Sequence, residues 1–184
     1  DGVDHDIELA ERVRERLFAA RATRTLPRDD KAVIAWNGLA LGALARAAPL
    51  DPRYREAGEQ LAARLAAVVE AGALPRALGA DGAPLGAGLL EDHALLAAGF
   101  ARWADASGQA RFERLARALA DVAWRDFHIE GQWRAGADSL LPGARTVALF
   151  EAAHQPSPPA VLAGLARRFA GEDARWAARA QVLE

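Results

Sequence analysis

Segments that are apolar on every side alternate with segments that are apolar along one stripe, three times over, and this alternation limits the available folds. From Ala32 to Ala48 the only strongly polar side chains are Asn37 and Arg46. A helix of that kind is covered by neighbours all round. Residues 51–70 follow with Asp51 as a helix cap, Pro52 in the first turn, and a stripe of Tyr54, Ala57, Leu61, Leu65 and Val68 beside a charged face. Residues 94–101 are again apolar throughout, and 109–125 again carry a stripe, of Phe112, Leu115, Leu119 and Val122. Pro158–Ala166 is the third apolar segment, and 172–184 the following striped one, around Trp176 and Ala180. Residues 4–22 form a further amphipathic helix with Ile7, Ala10, Val13 and Leu17 at helical spacing. An inner ring of enclosed helices and an outer ring with one wet face produces this order. A flat bundle is the alternative, and it needs fewer enclosed helices.

Turn signals separate these segments. Asp81-Gly82 lies in a stretch rich in Gly, Ala and Pro between 72 and 88 and can close a small hairpin. Ser107-Gly108 ends the second apolar helix, and residues 128–146 read as loop or short strand. The expected class is therefore all-α, in one domain over 1–184.

Composition removes several functions. Cysteine is absent, which excludes disulfides, thiolate zinc sites and a cysteine nucleophile and fits a cytoplasmic location. His5, His93, His128 and His154 are widely separated, so no metal site and no cofactor are expected. No phosphate loop, dinucleotide fingerprint or nucleophile elbow is present. With 23 basic and 25 acidic residues the chain has no charge bias toward nucleic acid, and no apolar run is long enough to span a membrane. Methionine is also absent, which reads the chain as a piece or a processed product of a longer one. The sole lysine, Lys31, and the sole asparagine, Asn37, fall within seven residues of each other in a chain with 22 arginines. That clustering marks the segment.

Three polar clusters precede the three enclosed helices: Asp29-Asp30-Lys31 with Trp36-Asn37, then Glu91-Asp92-His93, then His154-Gln155-Pro156-Ser157. In a ring of hairpins the inner helices run the same way and their N-termini meet at one mouth, where free N–H groups suit hydroxyl-rich or anionic ligands. Asp30, Asp92 and Glu91 are the candidate general acid and base, because cleavage of a glycosidic bond uses two carboxyl groups. Asp29, Lys31, Trp36, Asn37 and His93 are the candidate ligand contacts. Each has a plain structural reading too. Asp29 or Asp30 can cap the next helix, Glu91 and Asp92 can complement a helix dipole, Trp36 can be core, and Lys31 and Asn37 can tie loops.

The run Arg21-Ala22-Thr23-Arg24, then Pro27-Arg28-Asp29-Asp30-Lys31 through Trp36-Asn37-Gly38-Leu39, resembles the thioredoxin-like, spermatogenesis-associated protein family. Leu90-Glu91-Asp92-His93-Ala94, Leu74-Pro75-Arg76 and Asp81-Gly82 also fit its pattern, with His93 in place of the usual tyrosine. Pro158-Pro159 follow Pro156-Ser157 where that family has Gly-Asn, and Glu151 is the nearest candidate for its third acidic position. The resemblance covers roughly residues 10–125. It implies part of a six-hairpin α/α toroid, similar to six-hairpin glycosidases and sugar epimerases, with a thioredoxin-like domain and the first hairpins lying upstream. It implies a sugar or small polar ligand. The competing expectations are a non-catalytic interaction scaffold and an inactive remnant. A partial ring would expose apolar inner helices, and so associate with itself or with a missing segment.

Overall fold

A computed structural model describes residues 2–25, 28–136, 155–171 and 173–181. Most of these residues are helical, and the few strands are short, as expected for an all-α chain. Two compact units are distinguished, residues 1–30 and 31–184.

The first unit is built on α1 (Gly2–Ala22). The expected helix is present, but its stripe is not buried: Ile7, Val13 and Leu17 are all about half exposed, as are Leu9 and Phe18.

In the second unit, strand β1 (Ala32–Val33) leads into α2 (Ile34–Ala47), and α3 (Pro52–Glu70) follows. Helical spacing from residue 31 anticipates no strand. Two residues before the helix pair with a hairpin more than 40 positions later, a contact that local periodicity does not encode. That hairpin is β2 (Pro75–Leu78) and β3 (Pro84–Ala87), with β2 central and both pairings antiparallel. Ala32 lies opposite Leu78 and Val33 opposite Ala77. The Asp81-Gly82 turn closes it as expected: Gly82 has φ 81° and Asp81 Oδ1 accepts from the Ala83 amide at 2.9 Å.

Helices α4 (Leu90–Ser107) and α5 (Ala110–Phe127) form a tight antiparallel pair, turned by Gly108 at φ 71°. Phe100 stacks on Phe112 near the turn, and His93 meets Phe127 at the far end. Strands β4 (His128–Ile129) and β5 (Gln132–Trp133) form a small hairpin on an aromatic cluster of Trp124, His128 and Trp133. Helices α6 (Pro158–Phe169) and α7 (Ala174–Gln181) complete the unit, with Phe169 edge-on to Trp176.

Helices α2, α4 and α6 run parallel and side by side. Ala35 meets Asp92, Gly38 meets Leu95 and Leu96, and Gly42 meets Arg102, so position advances together along α2 and α4. Gln155 bonds Glu91 at one end of the α4–α6 contact, and Arg168 pairs with Asp105 at 2.7 Å at the other. Helix α4 is the middle of the three, and its Ala94, Leu95, Leu96, Ala97, Phe100 and Trp103 are almost wholly buried. Helix α3 lays Gly58 against the Trp103 ring and packs on α2. Of the three helices expected to be enclosed, only α4 is: α2 leaves Trp36, Ala40 and Ala43 exposed and α6 leaves Ala160 and Gly164 exposed, because each has α4 on one side and, among the described residues, no helix of the same row on the other.

Candidate functional site

The site begins with a capping problem. The residue before α2 is Val33 and the residue before α4 is Leu89, and neither carries a side-chain acceptor for the free N–H groups of its helix. One carboxylate serves both helices. Asp92, in the first turn of α4, folds back so that Oδ2 accepts from the Leu89 amide at 2.8 Å. Its Oδ1 accepts from the Ala35 amide of α2 at 3.1 Å. The same oxygen accepts from Arg76 Nη1 on β2 at 2.9 Å. Asp92 is 0% exposed. Burial pushes its carboxyl above the usual range, and the Leu89 amide, the Arg76 guanidinium and the Ala35 amide pull against it.

The expectation that Asp29 or Asp30 caps α2 is therefore corrected. The helix starts at Ile34, after β1, and the cap comes from α4. Asp30 instead pairs with Arg28 within the first unit, at 2.5 Å between exposed side chains.

Glu91 sits beside this centre. It pairs with Arg76 and accepts a 2.5 Å hydrogen bond from Gln155 Nε2 ahead of α6. Its side chain keeps 20% of its surface, so unlike Asp92 it is reachable. The second cluster is thereby tied to the start of α2 through Asp92 and to the third cluster through Glu91. Arg76 is the hub of the pair of carboxylates, and sequence reading did not single it out as a site residue. The signal was present in Leu74-Pro75-Arg76, but its partners lie 15 and 16 positions away, across a hairpin. His154 and Glu151 lie outside the described residues; Ser157 is buried at the start of α6.

Trp36 contradicts the core reading: it is 63% exposed, on the side of α2 away from α4. Neighbouring Asn37 is partly buried and donates Nδ2–H to the Val33 carbonyl at 2.8 Å, tying β1 to the helix. Lys31 is exposed at the head of β1, and Asp29 is exposed in the first unit.

His93 turns away from the mouth. Its Nδ1 lies 2.9 Å from the Leu89 carbonyl oxygen, its ring packs on Phe127, and it is 7% exposed. A carbonyl only accepts, so Nδ1 carries the proton. Burial pulls the imidazole below its ordinary 6.5, against the Leu89 bond and the charges of Asp92 and Asp126. His128 is lowered by burial as well. A folded-state value below the unfolded one means that acid favours unfolding. This stability is complete above pH 6.5 and is lost as pH falls from there through the folded value. Melting temperature is accordingly expected to fall between about pH 7 and pH 5, and His93→Gln to flatten part of that slope. Thermal melts of both proteins at stepped pH check this, with the difference between them isolating His93 from His128 and the carboxylates.

Among the described residues no three His, Asp or Glu side chains gather as a metal site, and no helix is long and apolar enough to cross a membrane. Chemically, the arrangement offers one accessible carboxylate, a guanidinium and an amide at parallel helix starts, with an exposed indole on the first turn of α2. No protein-family model matches the chain, and no curated protein shows significant similarity to it.

Proposed function

We propose that the mouth formed by the starts of α2, α4 and α6 binds a hydroxyl-rich ligand of the carbohydrate class, and that α2–α7 are three hairpins of an α/α toroid. The observation that carries the reading is the chain of bonds from Ala35 through Asp92, Arg76 and Glu91 to Gln155. It draws three segments distant in sequence to one end of three parallel helices. Sugars are recognised by planar polar groups that make paired hydrogen bonds and by aromatic faces that cover their C–H surfaces. Arg76, Glu91 and Gln155 supply the first, and we assign the second to Trp36, exposed on the first turn of α2 although on its side away from α4. The resemblance to the thioredoxin-like, spermatogenesis-associated family points the same way.

Within this reading the carboxylates divide their work. Asp92 has both oxygens occupied and positions Arg76 and α2, while Glu91 is the carboxylate that meets ligand. Any acid or base chemistry belongs to Glu91, which Arg76 holds in place through an ion pair. The expected result is saturable heat on titrating the chain with a panel of mono- and oligosaccharides. Trp36→Ala and Glu91→Gln should each weaken that binding by about tenfold, the worth of roughly 1.4 kcal/mol, without a matching loss of melting temperature. Absence of binding across the panel would remove the reading.

A second reading is an interaction scaffold. It is favoured by the open face of α2, where Trp36, Ala40 and Ala43 are exposed in a row. Concentration-dependent sedimentation, abolished by Trp36→Ser, is its expected signature; a monomer at all concentrations counts against self-association.

A further inference from the structure

A separate cavity of about 550 Å³ lies between the end of α3, the base of the β2–β3 hairpin and the second half of α5. That volume is in the range of small-molecule sites, about 300–1,000 Å³. Val69, Leu74, Leu119, Val122 and Phe127 make most of its wall. The one buried polar side chain in the wall is His93. Its Nδ1 hydrogen is committed to the Leu89 carbonyl, which leaves Nε2 with a lone pair. Nε2 meets no hydrogen-bond partner among the described residues. Nor is it sealed in: the buried, unpartnered side-chain nitrogens there are the Nε1 atoms of Trp103, Trp124 and Trp133. His93 is itself part of the cavity wall. Gly88, also in the wall, has no room for a side chain: a Cβ there would stand 2.7 Å from the Leu74 carbonyl oxygen and 3.2 Å from His93 Cε1. Arg125 and Asp126 also line the cavity and are paired with each other, so their charges are mutually compensated.

We infer that this cavity is a binding site for a small apolar molecule bearing one hydroxyl, with its apolar body on Leu74, Leu119, Val122 and Phe127 and its O–H donated to His93 Nε2. The chemistry selects against a sugar here. Each additional hydroxyl would be desolvated against apolar wall without a partner. It also selects against a plain hydrocarbon, which would leave the imidazole acceptor unpaired. The site is independent of the mouth described above, because His93 faces the opposite side of the α4 start from the Glu91–Gln155 bond.

The test is calorimetric titration of the full chain with 4-propylphenol and with propylbenzene, which match in shape and differ in the hydroxyl. The phenol is expected to bind saturably and about tenfold more tightly than the hydrocarbon, the worth of one good hydrogen bond. His93→Phe should bring the two affinities together. Val122→Trp, which fills the cavity and leaves His93 in place, should abolish binding of both with the helical circular dichroism unchanged. Equal affinity for the two probes, no binding of either, or phenol binding that survives Val122→Trp would overturn the inference.

Discussion

Asp92→Ala is expected to destabilise the protein by about 3–5 kcal/mol, the range for removing one partner of a buried charged pair. The reason lies in what the carboxylate leaves behind. The buried Ala35 amide at the start of α2 and the part-buried Leu89 amide at the start of α4 would each lose their acceptor. Arg76, one-third exposed, would retain only Glu91. In a domain of this size 1 kcal/mol moves the melting temperature by about 2–4 °C, so a fall on the order of 10 °C is expected. Asp92→Asn should cost less, because the amide keeps one acceptor oxygen, but it presents an N–H₂ group to neighbours that only donate. Thermal and urea unfolding of both variants checks the order. If Asp92→Asn instead removed ligand binding with no loss of stability, Asp92 would be a reacting group rather than a positioning one.

The second large effect is at the α2–α4 contact. Gly99→Ala would place a Cβ 2.4 Å from the Gly38 carbonyl oxygen, and Gly38→Ala would place one 2.7 Å from the backbone of Leu95 and Leu96. Both obstacles are backbone, so no side chain can swing aside and the helices must separate. Overpacking of this kind costs about 1–3 kcal/mol, set against a gain of roughly 0.5–1 kcal/mol from replacing a helical glycine. The net effect is destabilising, and it reaches further than packing alone because separating α2 from α4 stretches the Ala35–Asp92 bond. Gly164 in α6 is the internal control. A Cβ there meets nothing within 4 Å. Gly164→Ala should therefore stabilise by about 0.4–1 kcal/mol. Denaturant melts of the three variants should show opposite signs; a stabilised Gly99→Ala would mean the helices are not held this closely.

These cases also show which parts of the fold are readable from residue order. Helical spacing marks α3, α5 and α7, because burial on one side leaves a stripe, and the unbroken apolar run marks α4, which is buried all round. Asp51-Pro52, Asp81-Gly82 and Gly108 mark boundaries, because capping and positive φ are properties of a residue and its near neighbours. The helix start at Ile34 is not readable this way. Its cap comes from Asp92, 57 positions further on, and two nearby aspartates offer a more obvious local choice. Trp36 shows the same limit in reverse. A tryptophan in an otherwise apolar segment reads as core, yet only the placement of α4 decides which side of α2 is covered. Arg76 is invisible for a related reason. A lone arginine between Pro75 and a glycine-rich turn has no periodicity that assigns it a role, and its meaning comes from two carboxylates brought across by the hairpin. What could be read was that Glu91, Asp92 and Gln155 sit at the starts of apolar helices; what could not was which oxygen stays open.

The most direct test is a nitrogen–proton correlation spectrum of the chain, assigned and followed during addition of the best-binding saccharide. The expected result is a compact set of shifts at the Trp36 indole, the Gln155 side-chain amide and the Ala35 and Leu89 backbone amides, with the His93 cavity unmoved. Shifts confined to other parts of the chain, or none at saturating sugar, would contradict a ligand site at the shared mouth of α2, α4 and α6.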